Sequence, residues 1–146
     1  MPVLALWISL LATLLGPSED PECYALGGLD VARAQALADV NVRDLQQVYA
    51  SDRAASHDRR VLERYAARGY RIVGAGMIRE SCRVVSRSDE RVELQVFERL
   101  APSWVVNDAG ETRRLPRDGA TSRRVSLIQV DGHWRIASVR MPGGSA

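Results

Sequence analysis

The chain has 146 residues, 46% hydrophobic and 26% charged, with a net charge of +2. That is one domain's worth of sequence, and its charge is too small to argue for a nucleic-acid partner. All 20 basic residues are arginine, which coding bias explains more simply than function does. Two cysteines without Cys-x-x-Cys spacing and two histidines, His57 and His133, make no recognisable zinc-ligand set. No Rossmann glycine fingerprint, P-loop, nucleophile elbow or metalloprotease helix occurs, so neither a metal nor a cofactor is expected.

Residues 3–15 are almost wholly apolar. As a helix, 13 residues span about 20 Å, short of a hydrocarbon core of roughly 30 Å. The length suits a secretory h-region, but the basic flank usual in such segments is missing. Residues 1–17 are therefore read as a signal or membrane anchor, with the domain exported or extracytoplasmic. The alternative is a helix packed on a cytoplasmic domain. Residues 18–26 read as a linker, 27–141 as the folded domain and 142–146 as a flexible tail. Cys23 and Cys82 form one disulfide if the chain is exported, or are two unrelated thiols, Cys82 then being a small buried hydrophobe.

Leu29, Ala32, Ala36, Leu37 and Val40 recur at helical spacing, with Asp30, Arg33 and Asp39 placed to face water. Asn41 caps a second short helix, with Asp44 three residues on and Leu45, Val48 and Tyr49 as its apolar face. Ser56 offers a third start, followed by a stripe of Val61, Leu62, Tyr65 and Ala66 and a stop at Gly69. Arg60, Arg64 and Arg68 form an i, i+4 ladder on another face. It is either a contact for an anionic partner or a solvated surface.

From Tyr70 the period changes to two. Gly74 and Gly76 mark a bend or bulge. Beyond it Ile78, Glu80, Cys82 and Val84 share one phase, and Val92, Leu94, Val96, Glu98 and Leu100 share another after the Ser88-Asp89-Glu90 turn. These runs predict a long antiparallel hairpin. A small hairpin follows around Asn107–Gly110. Then comes a basic loop with Arg113, Arg114 and Arg117. The final pair, Arg123–Val130 and His133–Met141, is joined by Asp131-Gly132, a dipeptide suited to a primed turn. Helices followed by an antiparallel meander predict an α+β domain, a curved sheet wrapped around helices.

The order of elements resembles the NTF2-like, or SnoaL-like, cone-fold superfamily. The likeness rests on Leu29-Asp30-Val31-Ala32-Arg33-Ala34, Asp44–Ala50, Tyr65-Ala66-Ala67-Arg68-Gly69, and Val125–Val130 leading into Asp131-Gly132-His133-Trp134-Arg135-Ile136. It spans about residues 27–141, and its nearest flavour is the exported or membrane-anchored actinobacterial domains, including those associated with lipid-import systems. The resemblance implies a pocket between helices and sheet, and homodimers through the open sheet. It implies no single activity.

Glu80 and Glu98 are the candidate acid/base pair, since an apolar face would favour their protonated forms. The bland alternative is that one of them simply pairs with Arg79, Arg99 or another arginine. Tyr65, Trp104 and Trp134 are candidate pocket-lining residues, Trp134 also serving as a core anchor. His133 alternates away from Trp134 and Ile136, onto the opposite face. Three functions follow from these residues: a non-catalytic domain binding a membrane protein or an apolar small molecule; an isomerase- or dehydratase-like enzyme using a pocket glutamate; or an arginine-mediated binder of anionic lipid or nucleic acid, through Arg60, Arg64, Arg68, Arg113, Arg114 and Arg117. The absence of a convincing catalytic group favours the first.

Overall fold

The computed structural model describes residues 19–141, so the apolar run at 3–15 and the tail at 142–146 lie outside the described residues. Among the described residues, three helices pack against two antiparallel sheets in a cone-like α+β arrangement. Among the described residues no helix is long and apolar enough to cross a membrane.

Helix α1 runs Pro21–Ala38, so residues 21–26, read above as linker, are its first turns. Pro21 stands in the first turn, where its missing N–H is harmless, and Glu22 faces the positive end of the helix dipole. The earlier start brings Cys23, Leu26, Asp30 and Leu37 into one buried stripe. At the other end Asn41 N–H donates to Ala36 O and Val40 N–H to Leu37 O, which puts Val40 in the left-handed region at φ 54°.

Helix α2 is Val42–Val48, capped as expected by Asn41, whose side chain accepts the Asp44 N–H at 3.0 Å. Helix α3 is Asp52–Ala66. It starts one turn before the predicted Ser56, because Ser51 Oγ accepts the Ala54 N–H at 3.1 Å and Asp52 supplies first-turn negative charge.

The segment from Tyr70 divides into two strands in different sheets. β1 (Tyr70–Val73) pairs with β4 (Trp104–Asn107), which pairs with β5 (Thr112–Arg114). β2 (Met77–Arg87), β3 (Arg91–Leu100), β6 (Thr121–Val130) and β7 (His133–Arg140) form the larger sheet in that order. The break falls at Gly74, where φ is 82° and a Cβ would stand 3.0 Å from Pro102 O. Arg113 and Arg114, expected in a loop, form the edge strand before Pro116 ends it. Asp131 and Gly132 both take positive φ, 51° and 78°, as a primed turn requires.

Two irregularities in the β2–β3 ladder set the site. The register passes from Arg79↔Glu98 to Ser81↔Phe97, leaving Glu80 as an extra residue, and shifts again at Val85. The core lies between the helices and the larger sheet, filled by Leu26, Leu45, Val48, Leu94, Val96 and Leu127. Cys23 and Cys82 are joined by a disulfide, so α1 is bonded to β2. Asp20 accepts the Val84 N–H at 3.0 Å and Arg87 bridges to Glu22 at 2.8 Å beside it.

Candidate functional site

A cavity of about 470 Å³ opens between α1, α3 and the inner face of the larger sheet. Met77, Leu100, Ile136 and Val139 supply most of its apolar wall, and charged and polar side chains most of the rest. The α1 stripe explains two of them: Asp30 and Arg33 continue the Cys23–Leu26 line into the interior, three and four residues apart. On α3, Asp58 sits between buried Ala55 and Leu62.

These groups form two ionic clusters. In the first, Arg33 donates from Nε and Nη2 to the two oxygens of Asp58, the second contact at 3.0 Å, and from Nη1 to Ala75 O at 3.3 Å. The Tyr49 hydroxyl donates to the same carboxylate. Burial alone would raise the Asp58 pKa, but the Arg33 hydrogen bonds and charge, with the Tyr49 hydroxyl, hold it below the usual aspartate range. Burial and the Asp58 charge push the Tyr49 hydroxyl up, so it stays a donor.

In the second cluster Arg79 donates to Asp30 Oδ2 and, from Nε and Nη2, to Glu98 Oε2 at 3.0 and 2.7 Å. Arg123 Nη1 lies 3.7 Å from Glu98 Oε1. Burial raises the Asp30 pKa above the ordinary aspartate value; the Arg79 hydrogen bond and charge pull it back only in part, and Glu98 adds to the rise. Ser138 also lines the cavity, and its buried Oγ has no hydrogen-bond partner among the described residues.

The sequence-derived candidates scatter around this site. Glu98 is in it, 4% exposed. Glu80 is exposed, because the extra residue turns it outward and turns Arg79 inward. Tyr65 lines a separate, smaller cavity with Arg68 and Arg113. Trp104 is 39% exposed, with Arg114 stacked 5.9 Å from its ring centre. Trp134 packs against the core away from the cavity wall. Arg60, Arg64 and Arg117 are exposed, as is His133 at its turn. Glu19 lies beside Cys23 and Cys82, but both sulfurs are committed to each other, which leaves that trio without thiolate ligands.

The residues missed were Asp30, Arg33, Tyr49, Asp58 and Arg123, whereas Arg79 pairs with Glu98 as the structural alternative allowed. The signal for two of them was present: starting the helix at Asp20-Pro21 places Asp30 and Arg33 in line with Cys23, Leu26 and Leu37.

No protein-family model and no curated protein matches this chain. Solved structures do. The intermembrane-space region of the chloroplast protein ARC6 superposes with a TM-score of 0.54 at 14% identity, covering 86% of this chain and 98% of that one. Rv3472, a protein of unknown function from Mycobacterium tuberculosis, gives 0.52 at 15% identity, covering 86% and 73%. Aln2 from a Streptomyces species gives 0.52 at 14%, covering 82% and 89%. At such identities the likeness is one of fold: a small α+β domain with helices on an antiparallel sheet.

Proposed function

We propose that the chain is an NTF2-like, SnoaL-like cone domain that works outside the cytoplasm, membrane-tethered or exported, and binds a small molecule without transforming it. The observation that carries this reading is the pairing of the cavity's buried carboxylates: Asp58 is clamped by Arg33 and Tyr49, and Glu98 by Arg79. Asp58, held below the usual aspartate range by Arg33 and Tyr49, is a weak base, since taking a proton would break its ion pair. The apolar wall suits a ligand with a hydrocarbon body, and Ser138 Oγ is placed for one polar atom. The Cys23–Cys82 bond supports an oxidising compartment, as does the apolar run at residues 3–15.

The test uses 1-anilinonaphthalene-8-sulfonate, an aromatic anion, as the probe. Native protein is expected to bind it with enhanced fluorescence. Val139→Trp, at the cavity rim, should weaken binding about tenfold, roughly 1.4 kcal/mol, while Phe97→Trp on the outer face should leave it unchanged. No binding, or equal loss in both variants, defeats the reading. Soluble cytoplasmic protein in a fractionation with a C-terminal topology reporter defeats its location.

One observation favours a second, catalytic reading. Asp30 lines the cavity with a pKa raised by burial, which suits a general acid or base in isomerase- or dehydratase-like chemistry. Turnover abolished by Asp30→Asn with probe binding intact would select it.

A further inference from the structure

The second cavity, about 340 Å³, lies where the end of α3 meets the edge of the small sheet. Its wall is Tyr65 and Arg68 from α3 and the turn after it, Tyr70 from β1, and Glu111, Thr112 and Arg113 at β5. Strand register explains the arrangement. Val105 stands opposite Ile72 on one side and Arg113 on the other, and directly paired residues share a sheet face. Ile72 and Val105 are buried, so Arg113 belongs to the core-facing side of the sheet. β5 is the three-residue edge strand, which puts Arg113 at the margin of the core, beside Tyr65 and Arg68. Tyr65 and Tyr70 pack against the core.

The arginines here differ from those of the main cavity. Arg33, Arg79 and Arg123 are all committed to carboxylates. Among the described residues, Arg68 and Arg113 make no ion pair and no side-chain hydrogen bond, and neither do the hydroxyls of Tyr65, Tyr70 and Thr112. One acidic residue, Glu111, shares the wall, fixed through its backbone N–H to Asn107 Oδ1 at 2.9 Å. The wall therefore carries a net charge of +1, from two arginines and one glutamate.

The geometry points to an anion site, separate from the main cavity, that takes a phosphate monoester. Two guanidinium forks from different elements match the oxygens of one tetrahedral anion. Two hydroxyl donors, Tyr65 and Tyr70, suit its further acceptor oxygens better than they suit a carboxylate. The backbone gives no help, because the C-terminal end of α3 carries partial negative charge. Binding therefore depends on Arg68 and Arg113. The monoester is either a free metabolite-sized phosphate or the headgroup of a lipid.

Full-length protein is titrated with glycerol 3-phosphate and, separately, with vesicles of phosphatidylcholine with and without phosphatidic acid. Arg68→Gln and Arg113→Gln are each expected to weaken binding at least about tenfold. Glu111→Gln should tighten it several-fold by removing a competing carboxylate. Arg60→Gln, two turns away on α3, should change nothing. All four positions are exposed, and thermal melts check that each variant folds. Binding of glycerol 3-phosphate with this pattern supports a free phosphate ligand. The same pattern with phosphatidic acid vesicles alone supports a lipid headgroup. Binding to neither, or weakening by Arg60→Gln equal to that of Arg68→Gln, overturns the proposal.

Discussion

Arg79 donates twice to one oxygen of Glu98, directly across the β2–β3 ladder, and the residue after Arg79 has no partner of its own. The extra residue, Glu80, is what brings these two charges onto one face. In a regular strand of the same residues Arg79, three positions before Cys82, would alternate outward, opposite to Cys82 and Val84. Two glutamates of similar sequence context thus have unlike roles. Glu98→Gln should destabilise the domain by about 2–3 kcal/mol, because it removes a partner from a half-buried guanidinium that keeps Asp30. Glu80→Gln should stay within about 0.5 kcal/mol. Urea unfolding of the two variants measures the difference, and equal effects would contradict the placement of the bulge.

The Arg33–Asp58 pair gives a pH signature. The Asp58 pKa is lowered by folding, so the unfolded chain binds the proton more readily. Its contribution is complete above the ordinary aspartate range and drains away as pH falls through the lowered native value. Asp30 has the opposite sign: its raised native pKa means the folded state takes up a proton first, which offsets part of the acid loss. Asp58→Asn should cost about 3–5 kcal/mol at pH 7, leaving Arg33 buried and unpaired, and flatten the acid limb of a stability–pH profile. Asp30→Asn should steepen that limb above the ordinary aspartate value, where the native Asp30 takes up its proton.

Reducing the Cys23–Cys82 bond opens a loop with a sequence separation of 59. On chain-entropy grounds the loss is about 4 kcal/mol. The double serine variant should melt lower in the absence of reductant, by the same margin that dithiothreitol produces in the native protein. A melting temperature unchanged by both would show that the bond does not form.

Val40 is a β-branched residue in the left-handed region, a conformation that costs a non-glycine residue about 1–2 kcal/mol. It is 38% exposed, so little packing is lost on truncation. Val40→Gly should therefore stabilise the domain by about 0.5–1 kcal/mol, glycine's extra unfolded-state freedom taking back part of the gain. A calorimetric melt displaced downward would contradict the cap geometry.

The elements were legible because their periods are strong. The Leu45–Val48 helix, the Val92–Glu98 alternation and the Asp131-Gly132 turn all stand where the sequence puts them. The site was less legible, for a physical reason: a bulge adds one residue without altering composition. The run Ile78-Arg79-Glu80-Ser81-Cys82 alternates acceptably in either register, and only pairing with β3 decides it. The ion pairs were hidden differently. Asp30, Arg33 and Asp58 are charged, and a charged residue in a helical stripe reads as solvent-facing until its partner is known. Arg33 and Asp58 are 25 residues apart, Arg79 and Asp30 are 49 apart, and no local pattern joins them.

The disulfide also decides how the domain bears load. Tension applied through the residues before Cys23 enters the fold at that residue and leaves it directly through Cys82, in the middle of β2. The chain between them, which includes most of α1 and all of α2, α3 and β1, is bypassed. Helices α1 and α3, which wall the cavity, are therefore shielded from a pull that the larger sheet must resist by shear between its hydrogen-bonded strands.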